Sequence, residues 1–320
     1  MKHALLAAAL LCAPLLTYAQ GVALVSSEKD HALAIVDLKT QAVVGTIATC
    51  KRPRHLQFTP DGKQLAVACG ESGQADFIEL ATRKSVRKVA LGDDPEIFDL
   101  SADGKTLYVS NEEDSVVGIV DLASGKRTGQ IKVGGEPEGV KLSRDGKTLF
   151  VTSEVANVVH AVDLASGKIV ADIKAGKRPR RFALSPDGAE LWVTNELDAS
   201  VTVIDTAKRA AVATLKFEVK GARAADITPV GITMSRDGKR AFVALGRANH
   251  VAFVDVAARK VTAQVLVGKR AWGLALDKAE KTLFVVNGLS DDMTLVDVDG
   301  AKPLKTVKVG RVPHSVVVVE

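Results

Sequence analysis

The sequence predicts an all-β fold, a seven-bladed β-propeller with four antiparallel strands per blade and the first blade closed by the C-terminal strand. Three observations predict it. A phrase recurs every 42 residues, as in "GDDPEIFDLSADGKTLYVSNE" (92–112), "GGEPEGVKLSRDGKTLFVTSE" (134–154) and "GKRPRRFALSPDGAELWVTNE" (176–196). Val, Thr, Ala and Leu abound between Gly, Pro and Asp-Gly punctuation, which is strand-and-turn composition. The two chain ends carry complementary fragments of one further blade.

The first residues stand apart from the repeats. Lys2 and His3 precede an apolar run, Ala4–Leu16, and Thr17-Tyr18-Ala19 places small residues at −3 and −1 of a cleavage point. Residues 1–19 are expected to be a secretory signal peptide, its apolar core too short to span a bilayer. The remainder, 20–320, is expected to be a single propeller domain, exported to the periplasm and monomeric. No later stretch is long and apolar enough to be a membrane helix. The formal net charge of +5 is small for 320 residues, and both signs are interspersed, as on a solvated surface.

Two independent markers count seven units. The residue opening each "x-apolar-x-apolar-Ser" run is Pro53, Pro95, Pro137, Pro179, Pro229, Ala271 and Pro313, at spacings of 42, 42, 42, 50, 42 and 42. An acid after an apolar pair recurs as Asp37, Glu79, Asp121, Asp163, Asp205, Asp255 and Asp297. In the unit starting at Pro137 the strands read Glu138–Leu142, Thr148–Thr152, Val158–Leu164 and Ile169–Lys174. Asp-Gly pairs at 61–62, 103–104, 145–146, 187–188 and 237–238 supply the positive φ of a tight turn between the first two strands. The recurrent acids sit where third strands enter turns, so they are expected to accept backbone N–H groups rather than form a site. A solenoid would want polar capping repeats, and none is visible. The mature start, Ala23–Ser26, aligns with a second strand and Pro313–Val319 with a first strand, so the C-terminus is expected to clasp the ring shut.

"TLYVSN", "TLFVTS" and "ELWVTN" resemble the Tyr-Val-Thr-Asn (YVTN) type of propeller repeat, over the whole mature chain. The segment 216–297, with "FEVKGARAADITPVGITMSRDGKRAFVALGRANHVAFVD", "VGKRAWGLALD" and "LFVVNGLSDDMTLVDV", resembles the propeller family associated with pyrroloquinoline quinone (PQQ)-dependent catabolism. That resemblance implies an exported, seven-bladed protein linked to periplasmic alcohol oxidation, with no catalytic residues to carry over. The chain departs from the repeat at Ala271, at Asp277–Lys281, which lacks Asp-Gly, and at Glu79.

Loops entering the innermost strands gather at one mouth of a propeller channel. Residues beside the repeated prolines are therefore the expected binding face: Arg54, His55, Glu96, Glu138, Arg180, Arg181, Trp272 and His314. The eight-residue excess falls on the same face, within Phe217–Thr228, as a docking element or a tolerated insertion. Trp272 is a stacking anchor or packs against that loop. Cys50 and Cys69 come to the same end of one hairpin and are disulfide candidates. A metal site adding His55 and His314 is the alternative, but no recognised zinc spacing is present, so no metal is expected. The remaining histidines, His31, His160 and His250, are expected to be ordinary surface or sheet residues.

Three function classes compete. The first is a non-catalytic binding or assembly accessory of a PQQ-dependent alcohol catabolism system. Its partner would be a quinoprotein dehydrogenase, a cytochrome or a small ligand, with PQQ touched indirectly and no cofactor of its own. Cys-x-x-Cys-His, Gly-x-Ser-x-Gly and tryptophan-rich blades are all missing from the sequence. The second is a lactonase-like hydrolase, for which Glu96, Glu138 and His314 are the available groups. The third is nucleic-acid binding through Lys51-Arg52-Pro53-Arg54 and Lys177-Arg178-Pro179-Arg180. Asp93, Asp94, Glu96, Glu136 and Glu138 at the same mouth oppose phosphate, so nucleic acid is not the expected partner.

Overall fold

A strand whose side chains alternate between two buried faces must be apolar at nearly every position, and the middle strands of each repeat are. The computed structural model describes residues 21–320. The expected signal peptide, residues 1–19, lies outside the described residues. These form seven four-stranded sheets. Six take their strands in chain order; in the seventh, Pro313–Val319 lies beside Val22–Ser27. Its register runs antiparallel from Val22 against Val319 to Val25 against Val316, so the C-terminal strand is the innermost strand of the first blade. The innermost strands touch their neighbours around the ring, Pro313–Val319 meeting both Pro53–Phe58 and Ala271–Leu276.

The core is divided among the junctions between blades. On Val22–Ser27, Val22 and Leu24 pack against Leu56, Leu65 and Val67 of the second blade. Ala23 and Val25, on the opposite face, pack against Phe284, Val286 and Leu295 of the seventh. Seven such apolar clusters are present, one per junction. Fourth strands such as Lys168–Lys174 form the rim and are largely exposed, with Ile173 alone buried in that strand.

Turn chemistry departs from expectation in one detail. At Asp61-Gly62 only the glycine takes positive φ, +67°. Its N–H donates to the Thr59 carbonyl (2.8 Å), while the Asp61 carboxylate accepts the Lys63 N–H (3.1 Å). The aspartate is thus a hydrogen-bonding device and the glycine carries the backbone conformation. Where Asp-Gly is missing, Glu280 adopts φ +56° and Asp277 accepts the Lys281 N–H at 2.7 Å. The recurrent acids behave as framework: Asp121 accepts Ser124 N–H (2.8 Å), Asp163 Ser166 N–H (3.0 Å) and Asp205 Lys208 N–H (2.9 Å).

The lengthened segment between the fifth and sixth blades folds down rather than standing clear. Phe217, Val219 and Ile227 are buried with Trp192, Leu245 and Ala248. The first strand of the sixth blade is correspondingly short, Ile232–Met234. Cys50 and Cys69 are joined by a disulfide, Cα atoms 5.8 Å apart, within the apolar junction of blades one and two. No thiolate remains there for the alternative metal arrangement with His55 and His314.

Candidate functional site: a charged plug in the channel

Side chains at the start of the innermost strands enter the channel where those strands are bulged, as all but the sixth blade's are. The register shifts by one residue between Pro53 and Leu56, Pro95 and Phe98, Pro137 and Val140, and Pro179 and Phe182. A bulge re-aims side chains at a sheet edge, and here it lets the consecutive residues Arg180, buried, and Arg181, half-buried, both reach Glu138. Glycine at the second bulge position is a packing requirement. A Cβ on Gly139 would collide with the Arg180 carbonyl, and one on Gly273 with the His314 carbonyl.

In every blade but the sixth, the residue before the innermost strand takes the left-handed conformation, with φ +59° at Arg52, +34° at Asp94, +50° at Glu136, +56° at Arg178, +59° at Arg270 and +51° at Val312. Non-glycine residues persist there only when their surroundings hold them. Neighbouring loops do so. Arg178 N–H donates to Asn157 Oδ1 (2.9 Å), and the Arg178 carbonyl accepts Glu196 N–H (2.9 Å). Arg52 N–H donates to His31 Nδ1 (3.1 Å).

These two rows, with acids from the turns between second and third strands, make two ionic clusters, one around Arg52 and Arg54 and one around Arg178, Arg180 and Arg181. Arg54 pairs with Glu96 and reaches Glu28 (3.5 Å). Arg52 joins Asp94 (2.9 Å) and Glu28 (3.6 Å). Arg180 contacts Glu154 (2.5 Å), Glu138 (3.4 Å) and Glu196 (3.7 Å). Arg178 pairs with Glu154 (2.5 Å) and Glu196 (3.4 Å), and Arg181 with Glu138 (2.8 Å). Glu96, Glu138, Glu154, Arg180 and His314 are buried. The Trp272 ring is stacked beneath the Arg270 guanidinium, 4.1 Å from its centroid, and lies 6.0 Å from the His314 ring.

Burial would raise the Glu138 carboxyl, but Arg180, Arg181, Arg54 and Arg178 together hold it below its usual range. Glu154 goes the other way: burial, aided by the Glu138 charge, pushes it up to about 7 against the pull of Arg180 and Arg178. Glu112 is raised by burial and by Glu138. Burial, then the Arg181 charge, lowers His55 to about 3 and takes His314 well below its ordinary value. Both imidazoles are therefore neutral at physiological pH. Arg181 Nη2 lies 3.3 Å from His314 Nε2 and His314 Nδ1 lies 2.9 Å from Ser315 Oγ, an arrangement that suits the tautomer protonated at Nδ1.

The eight residues named from the sequence are thus brought together, in the channel rather than on its exposed rim. Arg54, Glu96, Glu138, Arg180 and Arg181 form the plug; His55, Trp272 and His314 lie beside it. On the side away from the mouth, a cavity of about 580 Å3 continues along the channel. Sequence reasoning missed Glu28, Glu112, Glu154 and Glu196, which supply much of the opposing charge. Their signal was present: the last letter of the recurring phrase is Glu at 112, 154 and 196. Carboxylate oxygens of Asp94, Glu96 and Glu112, and of Glu112, Glu136 and Glu154, approach one another within 4.8 Å. Two such triads could receive a hard cation, but Arg52, Arg54, Arg178 and Arg180 already place positive charge against them.

The mouth around the plug is also apolar. Among the described residues, the four most exposed large hydrophobics are Val155 (64%), Leu289 (62%), Leu266 (61%) and Leu197 (59%). Val155, Leu197 and Leu289 sit in turns that donate their N–H groups to the strand-entry loops at Gly135, Lys177 and Lys269, and Leu266 ends a fourth strand on that same face.

Residues 113–309 match the family described as choice-of-anchor I domain. Among curated proteins, none matches the chain in sequence. Similar solved structures include the Pseudomonas aeruginosa periplasmic gluconolactonase, 21% identical, TM-score 0.79, covering 94% of this chain and 99% of that one. Kuenenia stuttgartiensis hydrazine synthase is 22% identical, TM-score 0.75, over 86% of this chain and 91% of that one. A functionally unknown protein from Desulfotomaculum acetoxidans is 15% identical, TM-score 0.79, over 93% and 99%. At these identities the likeness is one of fold.

Proposed function

The chain belongs to the choice-of-anchor I domain family, and on that footing we propose that it is a non-catalytic binding propeller exported to the periplasm. It docks a protein of a PQQ-dependent alcohol-oxidising system, a quinoprotein dehydrogenase or a cytochrome, against the channel mouth. The observation that carries this reading is the coincidence of apolar tips and charge. Val155, Leu197, Leu266 and Leu289, one on each of blades four to seven, share a face with ion pairs of mixed sign, the pattern of an interface with apolar anchors and charged specificity. The resemblance of 216–297 to the PQQ-associated family supplies the system, and the periplasmic gluconolactonase among the similar folds agrees with the compartment.

A lactonase reading is less well supported. Its carboxylates, Glu96 and Glu138, are buried in ion pairs with Arg54 and Arg181, and Glu138 is held below the usual carboxyl range. A carboxylate stabilised as the anion is a poor proton acceptor. Nucleic acid fits worse still, because Asp94, Glu112 and Glu136 share the mouth with the arginines.

The test is capture of partners from the periplasm of alcohol-grown cells by tagged protein. We expect recovery of a quinoprotein or cytochrome by the unsubstituted chain, and at least about tenfold less with Leu197→Asp or Val155→Asp at unchanged melting temperature. Recovery that is equal for all three would remove the mouth from the interface.

A further inference from the structure

The cavity of about 580 Å3 lies beyond the plug and opens on the face opposite the mouth, for its outer lining includes Pro186 and Arg236, in turns joining first to second strands. It is independent of the partner reading, which uses the other end of the channel. Its size is that of sites for small organic molecules. The short first strand of the sixth blade, Ile232–Met234, borders it where other blades place six or seven residues, and so leaves room on that side.

The lining has two characters. Phe182, Ile232 and Leu274, each partly exposed, make apolar walls from three different blades. The charged residues along it are Lys141, Arg181, Arg236 and the acid Asp99; Arg236 is engaged by Glu280 (3.3 Å) and the Lys278 carbonyl, which leaves Lys141 and Arg181 as the cations facing the cavity. Asp99 is fully engaged: it accepts Gln57 Nε2 (2.8 Å), Leu100 N–H (3.1 Å) and Leu142 N–H (2.8 Å), and its remaining contact is Lys141 Nζ at 2.9 Å. The lysine therefore keeps donors to spare. At the inner end Arg181 meets Glu138 and His314, and the two neutral histidines add no charge of their own. Burial first, and then the Arg181 charge, depresses His55 and His314, while burial lowers Arg181 to about 10 against the pull of Glu138. The indole N–H of buried Trp272 has no acceptor there either.

We propose that this cavity binds a small organic carboxylate, its charge drawn to Lys141 and Arg181 and its apolar body lying against Phe182, Ile232 and Leu274. A hydrophobic body gains from the walls, and a single carboxylate can take the N–H donors that Lys141 leaves free without displacing the Asp99 contacts. Inorganic anions would use the charge and waste the walls; neutral analogues would do the reverse.

Calorimetric titration of the full chain with benzoate and hexanoate, beside benzyl alcohol, hexanol and inorganic phosphate, tests this. At least one carboxylate should bind saturably, with its neutral counterpart and phosphate about tenfold or more weaker. Lys141→Met should weaken the carboxylate about tenfold, and Thr233→Trp, which fills the cavity without touching a charge, should abolish binding at unchanged melting temperature. The proposal is overturned if no carboxylate binds folded protein below about 10 mM, if phosphate binds as well as they do, or if binding survives both substitutions. Partner capture through the mouth should be unaffected by Thr233→Trp, which separates failure here from failure of the docking reading.

Discussion

Deleting Pro313–Glu320 is expected to unfold the ring at ambient temperature, or at least to lower its melting temperature by tens of degrees. The segment contributes the whole innermost strand of the first blade, paired with Val22–Val25 in register. It also buries Pro313, His314 and Val316 against the first strands of blades two and seven. Each buried apolar side chain of this size is worth roughly 1.5–3 kcal/mol. Together with an exposed ladder edge, that rivals the 5–15 kcal/mol net stability typical of a domain. Circular dichroism during heating reads it directly. A truncated protein that melts where the full chain does would mean that the clasp closes nothing.

The second large effect is expected at Arg180. Its guanidinium is the common partner of Glu138, Glu154 and Glu196, and two of those acids are all but completely buried. Arg180→Met leaves them competing for Arg178 and Arg181, a loss on the order of 3–5 kcal/mol. That corresponds to a melting temperature lower by on the order of 10 °C. The defect should depend on pH in a definite direction. Glu154 already stands at about 7, raised first by burial. A carboxyl whose folded pKa exceeds its unfolded value stabilises the fold while protonated, and that contribution is lost as pH rises from about 4.5 through 7. The Arg180→Met defect should accordingly be largest above pH 7 and smaller near pH 5, and a second change, Glu154→Gln, should recover part of it at pH 8. A defect of equal size at both pH values, with no recovery in the double variant, would show that Arg180 matters through packing alone.

Blade number, strand order and the clasp were legible because each depends on periodicity. A 42-residue spacing with Asp-Gly between apolar runs can be counted without knowing where any side chain points. The depth of the candidate residues was not legible. Arg54, Glu138, Arg180 and Arg181 read as a variable rim because they follow a proline at a loop. The bulge that brings consecutive residues to Glu138 shows only in the pairing, where Pro179 opposes Asn195 but Phe182 opposes Val193. The acids at 112, 154 and 196 were overlooked because they end the phrase that was taken as framework. They stand one residue past the second strand, and that Glu154 and Glu196 there converge on Arg178 and Arg180 is a consequence of closing the ring. The lengthened segment reads equally as a docking element or a tolerated insertion because only its length is visible in a sequence, while the burial of Phe217 and Ile227 beside Trp192 is a tertiary fact.

The claim on which the functional account rests is that one face, the mouth over the charged plug, meets the protein partner. A photocrosslinking amino acid placed at Leu197, and separately at Val170 on an outer strand, tests it in the periplasm of alcohol-grown cells. Both positions are exposed, at 59% and 44%, so accessibility does not decide between them. The account predicts a discrete adduct from position 197, identified by mass spectrometry as a quinoprotein or cytochrome, and none from 170. An adduct from 170 with nothing captured at 197 would contradict it.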